Sequence, residues 1–294
     1  MYVQFSEGMP GLVVDEKART VRIDSLKAIE GIEELYEKYL EDDLDFFSIS
    51  PSRAAGFFEF LKGASSSGRK ALFLKGQVTG PVSFALSVTD EHKKALLYHD
   101  ELFEALTRLL SMKARWQIRK MKEASEKVIV FIDEPYLVSI GSSFITIDVE
   151  RAMRTIDEVA GAIRAEGALA GIHCCGNTDW QMLLGRNIDI LSFDAYNFMT
   201  PFLLFAEEAR EFVARGGTIA WGIVPTAGAD AKRGEADGLL KMLMEGIRAL
   251  GAGKGAVSSL VTPSCGTGTL DDASAEAVFA LTEEVSTLAR ESAP

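Results

Sequence analysis

The chain is 294 residues long, 47% hydrophobic and 25% charged, with 8 Pro, 26 Gly and 3 Cys, proportions that exclude a disordered, collagen-like or disulfide-stapled protein. Its net charge is -12 with the acids spread along the chain, and no basic tract offers an electrostatic footprint for nucleic acid or anionic lipid. No run approaches the roughly 20 apolar residues of a membrane span, and MYVQFSEGMPG lacks the basic start and apolar run of a signal peptide, so a cytoplasmic protein is expected, with its cysteines as free thiols, metal ligands or catalytic groups.

In chain order, VVDEKARTVRID (13–24) alternates on both sides of a charged turn and predicts a β-hairpin within an extension over residues 1–25. Strands are expected at LDFFSIS (44–50), ALFLKGQ (71–77), VIVFID (128–133), LAGIHC (169–174), IDILSFD (188–194), TIAWGI (218–223) and AVSSLVT (256–262). Helical patterns lie between them at 52–63, 100–126, 149–166, 179–186, 201–215, 232–250 and 273–290, with a short helix begun after Pro81 and an αβ loop at GASSSG (63–68). Strands with few polar residues on either face, alternating with helices, predict an α/β fold. The first choice is a closed (β/α)8 TIM barrel forming a single domain over 1–294, with an open doubly wound sheet second.

The sharpest chemical signal is HCCGN (173–177) at a strand end. Side chains two apart on a strand face the same way, so His173 and Cys175 project together and Cys174 points into the core behind the strand. TPSCGTGTL places Cys265 at another strand end, and a parallel barrel delivers all those ends to one face, where Cys265 can join the pair. One imidazole and two thiolates suit Zn²⁺ with an open fourth position, while buried thiols without function are the plain alternative. FIDEPYL ends a strand with Asp133 and Glu134, placed for ligand binding or proton transfer or else as solvated turn acids. Asp194 in SFDAYNF is an outer carboxylate, a fourth oxygen ligand or a turn residue. In KGQVTGPVSFAL the glycines Gly76 and Gly80 either let the backbone approach an anionic ligand beside Gln77 or form a tight turn. His92 and His99 read as a solvated helical face.

Taken together, DEP, HxCGN, a carboxylate after the following strand and PSCGTGT, with KGQVTGP before them, resemble the cobalamin-independent methionine synthase and uroporphyrinogen decarboxylase superfamily. The closer likeness is to its zinc-dependent thiol methyltransferases. The resemblance implies a TIM barrel with His173, Cys175 and Cys265 as zinc ligands. It also implies Asp194 near the place of a displaceable fourth ligand, Asp133 holding a substrate amino group, and a substrate site that includes Asp194, Gly76 and Gln77. Catalysis would fall to Asp133 and Glu134, with zinc deprotonating a small thiol that then attacks a methyl group.

Several departures narrow this. Only one barrel is present, the family's histidine after the seventh strand has no counterpart in TIAWGIVPTAG, and FSISPS lacks a family glutamate. A methylated corrinoid protein is therefore favoured over methyltetrahydrofolate as donor, because methylfolate needs an acid to protonate its nitrogen, for which Glu134 or Asp230 would have to serve. No GSLP-like strand precedes MYVQFS, so either MYVQFS closes the barrel or its first strand is missing. The alternatives are a uroporphyrinogen-decarboxylase-like enzyme and a non-catalytic zinc-containing barrel that binds a corrinoid protein.

Overall fold

The computed structural model describes residues 1–15, 17–18, 20–66, 71–140, 146, 148–226, 236–251 and 259–292. The chain divides into two compact units, Met1–Gly171 and Ile172–Pro294. It is an α/β protein in which six strands of a βα series follow an antiparallel hairpin.

The first unit opens in turns and enters the hairpin β1 (Leu12–Asp15) and β2 (Thr20–Ile23), with Leu12 opposite Ile23. Gly11 is obligatory at this entry: its φ is +69°, and a Cβ there would lie 2.4 Å from the carbonyl oxygen of Asp24. Asp24 then caps α1 (Ser25–Leu40) by accepting from the Lys27 amide. This helix is absent from the sequence reading, although the cap and the buried Ala28 and Leu35 mark it. There follow α2 (Ala55–Ser66), β3 (Leu74–Thr79), α3 (Pro81–Ser87), α4 (Asp100–Lys122), β4 (Val128–Asp133) and α5 (Val149–Ala165). Strands β3 and β4 are parallel, in register from Leu74 opposite Val128 to Thr79 opposite Asp133, and α4 packs against both. Next comes β5 (Leu169–Cys174), whose last three residues begin the second unit.

Three expectations fail in this unit. LDFFSIS is a run of turns, because its backbone is claimed elsewhere: Lys113 of α4, fully buried, donates to the carbonyls of Phe47 (3.3 Å) and Ser48 (3.2 Å). The Ser50 amide donates to Glu7 at 2.8 Å, while Phe47 and Ile49 fill the core. MYVQFS is likewise turns, with Phe5 buried, and forms no strand. The proposed loop GASSSG instead ends α2 through Ser66, its last two residues lying outside the described residues. A (β/α)8 barrel needs eight strands; among the described residues the βα series has six.

The second unit runs α6 (Trp180–Leu184), β6 (Ile190–Phe193), α7 (Ala195–Leu203), α8 (Ala206–Ala214), β7 (Thr218–Val224), α9 (Ala236–Ala249), β8 (Ser259–Pro263) and α10 (Asp272–Ser292). The single helix expected at 201–215 is two, because Asp194 caps an earlier start and the chain breaks at Leu204 and Phe205. Residues 232–235 of the helix expected at 232–250 and 256–258 of the last expected strand lie outside the described residues. Strands β6, β7 and β8 are parallel, with a register irregularity between Gly222 and Val224. Their helix side is an aromatic core: Phe193 stacks on Phe202 at 4.1 Å between centroids, and Trp180 and Trp221 close around the pair. Among the described residues no helix is long and apolar enough to cross a membrane.

The close approach at Gly222 is the tightest constraint on β7. A Cβ there would fall 2.4 Å from the Phe193 carbonyl oxygen and 2.9 Å from the Ser264 Cα, both backbone atoms. Gly222→Ala should therefore destabilise the protein by about 1–3 kcal/mol. Gly161 lies mid-helix in α5, and a methyl group added there would have nothing within 4 Å. As Ala it should gain about 0.5–1 kcal/mol of stability. Urea unfolding midpoints of the two variants, moving in opposite directions, check both.

Candidate metal centre

The centre lies wholly in the second unit. β5 delivers His173, and the chain leaving it delivers Cys175 on the same side; Cys174, one residue between, is 0% exposed, as the pleat requires. β8 ends at Pro263, and Ser264 anchors the turn beyond it. Its amide donates to the Val224 carbonyl at 2.8 Å, and its buried hydroxyl accepts from the Thr226 amide at 3.3 Å. The next residue is Cys265. One donor atom from each of His173, Cys175 and Cys265 lies within 4.8 Å of the others, a group that could hold a metal ion.

The imidazole is oriented from behind. His173 Nδ1 is 2.9 Å from the Ser192 hydroxyl on β6, and Ser192 is itself only 4% exposed. That leaves Nε2, which is buried without a hydrogen-bond partner among the described residues. A buried nitrogen in that state is costly unless something with an empty orbital or a proton completes it. The two thiols are unequal. The bond from Cys175 holds Cys265 well below the ordinary thiol range, helped by the neighbouring His173 ring, and the same bond together with burial pushes Cys175 up. One imidazole nitrogen and two sulfurs, one of them already favoured as thiolate, fit a borderline-soft divalent ion such as zinc.

Asp194 stands nearby without joining the group. It caps α7, its two oxygens accepting from the Asn197 backbone amide (3.0 Å) and side-chain amide (2.7 Å). Burial raises its carboxyl above the ordinary range despite these bonds, and the Cys265 charge adds to the effect. Ser192 and Ser264 escaped the sequence reading. Ser192 carried a usable signal, since it shares a strand face with Asp194 two residues on.

In the first unit the neighbours Asp133 and Glu134 part company. Glu134 is 0% exposed and points to the helix side, where its carboxylate accepts from the Val82 amide (2.9 Å), the Ser83 amide (2.8 Å) and the Ser83 hydroxyl (2.6 Å). The anion suggested by the start of the Pro81 helix is thus the protein's own carboxylate. Gly80 is glycine because a Cβ there would overlap Glu134 at 2.1 Å, while a Cβ at Gly76 would meet the flexible end of Met121 of α4 at 2.7 Å. Burial outweighs the three donors and pushes Glu134 up to about 7. Asp133, 7% exposed at the end of β4, lies on the opposite face, the one that also carries the half-buried Gln77. His92 sits in an exposed turn, whereas His99 is held by the buried Asp90 at 3.0 Å and is not the solvated residue expected. Asp230 lies outside the described residues.

No family model and no curated protein matches the chain.

Two outcomes are expected. Purified protein should take up about one zinc or cobalt ion per chain; Cys175→Ser and Cys265→Ser should each abolish uptake, and Cys174→Ser should retain it, by elemental analysis and the cobalt–thiolate absorption. The second concerns pH. Glu134 is raised from 4.5 to about 7, so its contribution to stability is full below 4.5 and is lost as pH climbs through 7. The loss should total on the order of 3 kcal/mol. Glu134→Gln should flatten that dependence in denaturant titrations across the interval, at a lower overall stability, because the NH2 that replaces one carboxylate oxygen donates and cannot accept the bonds that oxygen now receives.

Proposed function

We propose that this chain is a zinc-dependent methyltransferase that moves a methyl group from a methyl-corrinoid to a small thiol. The observation that carries the reading is the convergence of His173, Cys175 and Cys265 from two strand ends with Nε2 of His173 left without a partner. The ordered motifs that resemble the superfamily support it. Three protein donors leave a tetrahedral ion one open position, the arrangement of a catalytic rather than a closed structural site. Asp194 is not among the three clustered donors, and each of its oxygens accepts one bond from Asn197.

Zinc bound there would hold the acceptor sulfur as a thiolate at neutral pH and stabilise its charge. The protein's own share is preparatory. Ser192 keeps Nδ1 of His173 engaged so that Nε2 would be the nitrogen to hold an ion, Ser264 holds the turn that presents Cys265, and Asn197 holds the Asp194 carboxylate. The acceptor sulfur forms the new C–S bond as the methyl–cobalt bond breaks, and the electron pair of that bond stays with cobalt. No proton need be delivered to this leaving group, which matches a segment 218–226 without a histidine and a Glu134 whose two oxygens are committed to α3. Asp133 is assigned to the amino group of the acceptor on the strength of the resemblance.

The test is methyl transfer from methylcobalamin to homocysteine or 2-mercaptoethanesulfonate, followed by loss of the methyl–cobalt absorption. Turnover should require zinc, fall below detection in Cys265→Ser, and be absent with methyltetrahydrofolate. Robust turnover with methyltetrahydrofolate would overturn the choice of donor, and zinc-loaded protein inert toward methylcobalamin with both thiols would overturn the methyltransferase reading.

A further inference from the structure

All three cysteines are free, and burial separates them. Cys174 is sealed behind β5, its thiol donating to the Gly176 carbonyl at 3.6 Å. Cys175 is half-buried and Cys265 exposed, and their sulfurs lie within 4.8 Å of each other in hydrogen-bond contact. Both belong to the second unit. A disulfide holds its sulfurs at about 2.05 Å, so the pair has to close further before a bond can form. Rotation of the two side chains supplies part of that approach, and the turn carrying Cys265 supplies the rest. Ser264 fixes this turn on one side of Cys265; on the other, a Cβ at Gly266 or Gly268 would meet nothing within 4 Å, so that side has room to move.

The same two sulfurs can hold an ion or bond to each other, and not both, because a metal is held by thiolates and a disulfide has none. We propose that Cys175 and Cys265 are a peroxide-reactive pair that closes to a reversible disulfide, taking both sulfurs away from the metal centre. The exposed Cys265 sulfur attacks one oxygen of hydrogen peroxide, the O–O bond breaks, and one water leaves with a sulfenic acid formed on Cys265. The Cys175 sulfur then attacks that sulfur, the S–O bond breaks and a second water leaves. In sum the two thiols give up two electrons and two protons, and the peroxide is reduced to two waters. A dithiol reductant reverses the bond by exchange. Cys174 takes no part, since the pleat turns it to the opposite side of the strand. Once the pair is oxidised, His173 is the one remaining donor of the group, too few to retain an ion. This adds a regulation to the proposed function and rests on that reading only for the ion that is lost.

The test treats the full chain, stripped of metal by a chelator, with hydrogen peroxide, followed by alkylation and peptide mass mapping. A Cys175–Cys265 crosslink should appear, with the intact chain lighter by two hydrogens and Cys174 recovered as a thiol, and dithiothreitol should reverse it. Cys174→Ser should form the same bond, whereas Cys175→Ser should stop at the sulfenic acid, captured on Cys265 by dimedone. Zinc affinity of the oxidised chain should be about tenfold or more weaker than that of the reduced chain, and reduction should restore it. A crosslink through Cys174, disulfides between chains alone, overoxidation of Cys265 without a crosslink, or an oxidised chain that keeps its zinc affinity would overturn the proposal. Zinc uptake by the reduced chain without any crosslink after peroxide would sink this proposal and leave the methyltransferase reading standing. A reversible crosslink in a chain that takes up no zinc in either state would do the opposite.

Discussion

Adjacent residues at the end of a strand are sent to opposite environments, and every assignment in this chain turns on that constraint. Cys174 and Cys175 are the same amino acid one position apart; the first is sealed in the core and the second is half-buried beside His173. Asp133 and Glu134 are both carboxylic acids, and the pleat sends the second into the start of α3 and the first to the face of Gln77. Chemistry in such a fold is decided less by residue type than by parity along the strand. A register slip of one residue would exchange Cys175 for the core thiol of Cys174 and Glu134 for Asp133.

The groups placed by that parity are then held by partners of modest size. Ser192 behind His173 and Ser264 ahead of Cys265 are both almost fully buried, and each contributes one hydroxyl. Their effect depends on backbones that approach unusually closely. The Phe193 carbonyl and the Ser264 Cα both crowd Gly222, so the strand that precedes the Cys265 turn is set against β7 with no room for a methyl. The aromatic cluster of Phe193, Phe202, Trp180 and Trp221 packs β6 and β7 from the helix side, the opposite face from the one on which Ser192 meets His173.

Much of this was legible beforehand. The strands at 128–133, 169–174 and 218–223 follow from apolar runs closed by acids, thiols or glycine, and HxC at a strand end already implied that Cys174 would turn inward. Interactions between distant positions escaped. Lys113 holds the carbonyls of Phe47 and Ser48 across more than sixty residues, and no local pattern in LDFFSIS announces it. The partner of Ser192 lies on another strand. Helix α1 is different: the Asp24 cap and the spacing of Ala28 and Leu35 were present in the sequence, and the segment was simply overshadowed by the hairpin before it. The early start of α7 also had its signal in Asp194, for which a turn residue was one of the readings and which caps that helix.

The buried ammonium of Lys113 has a consequence for the life of the chain outside its native state. LDFFSIS, with two phenylalanines, a leucine and an isoleucine, is the kind of segment that stacks into intermolecular β-structure when its backbone is free. In the folded protein two of its carbonyls are spoken for by a cation, and burial brings that cation down to about 8. The lysine thus acts as a gatekeeper placed in three dimensions instead of in the flanking sequence. Such a gatekeeper guards only the assembled unit, so the segment's tendency to self-associate is governed by how often α4 lets go of it.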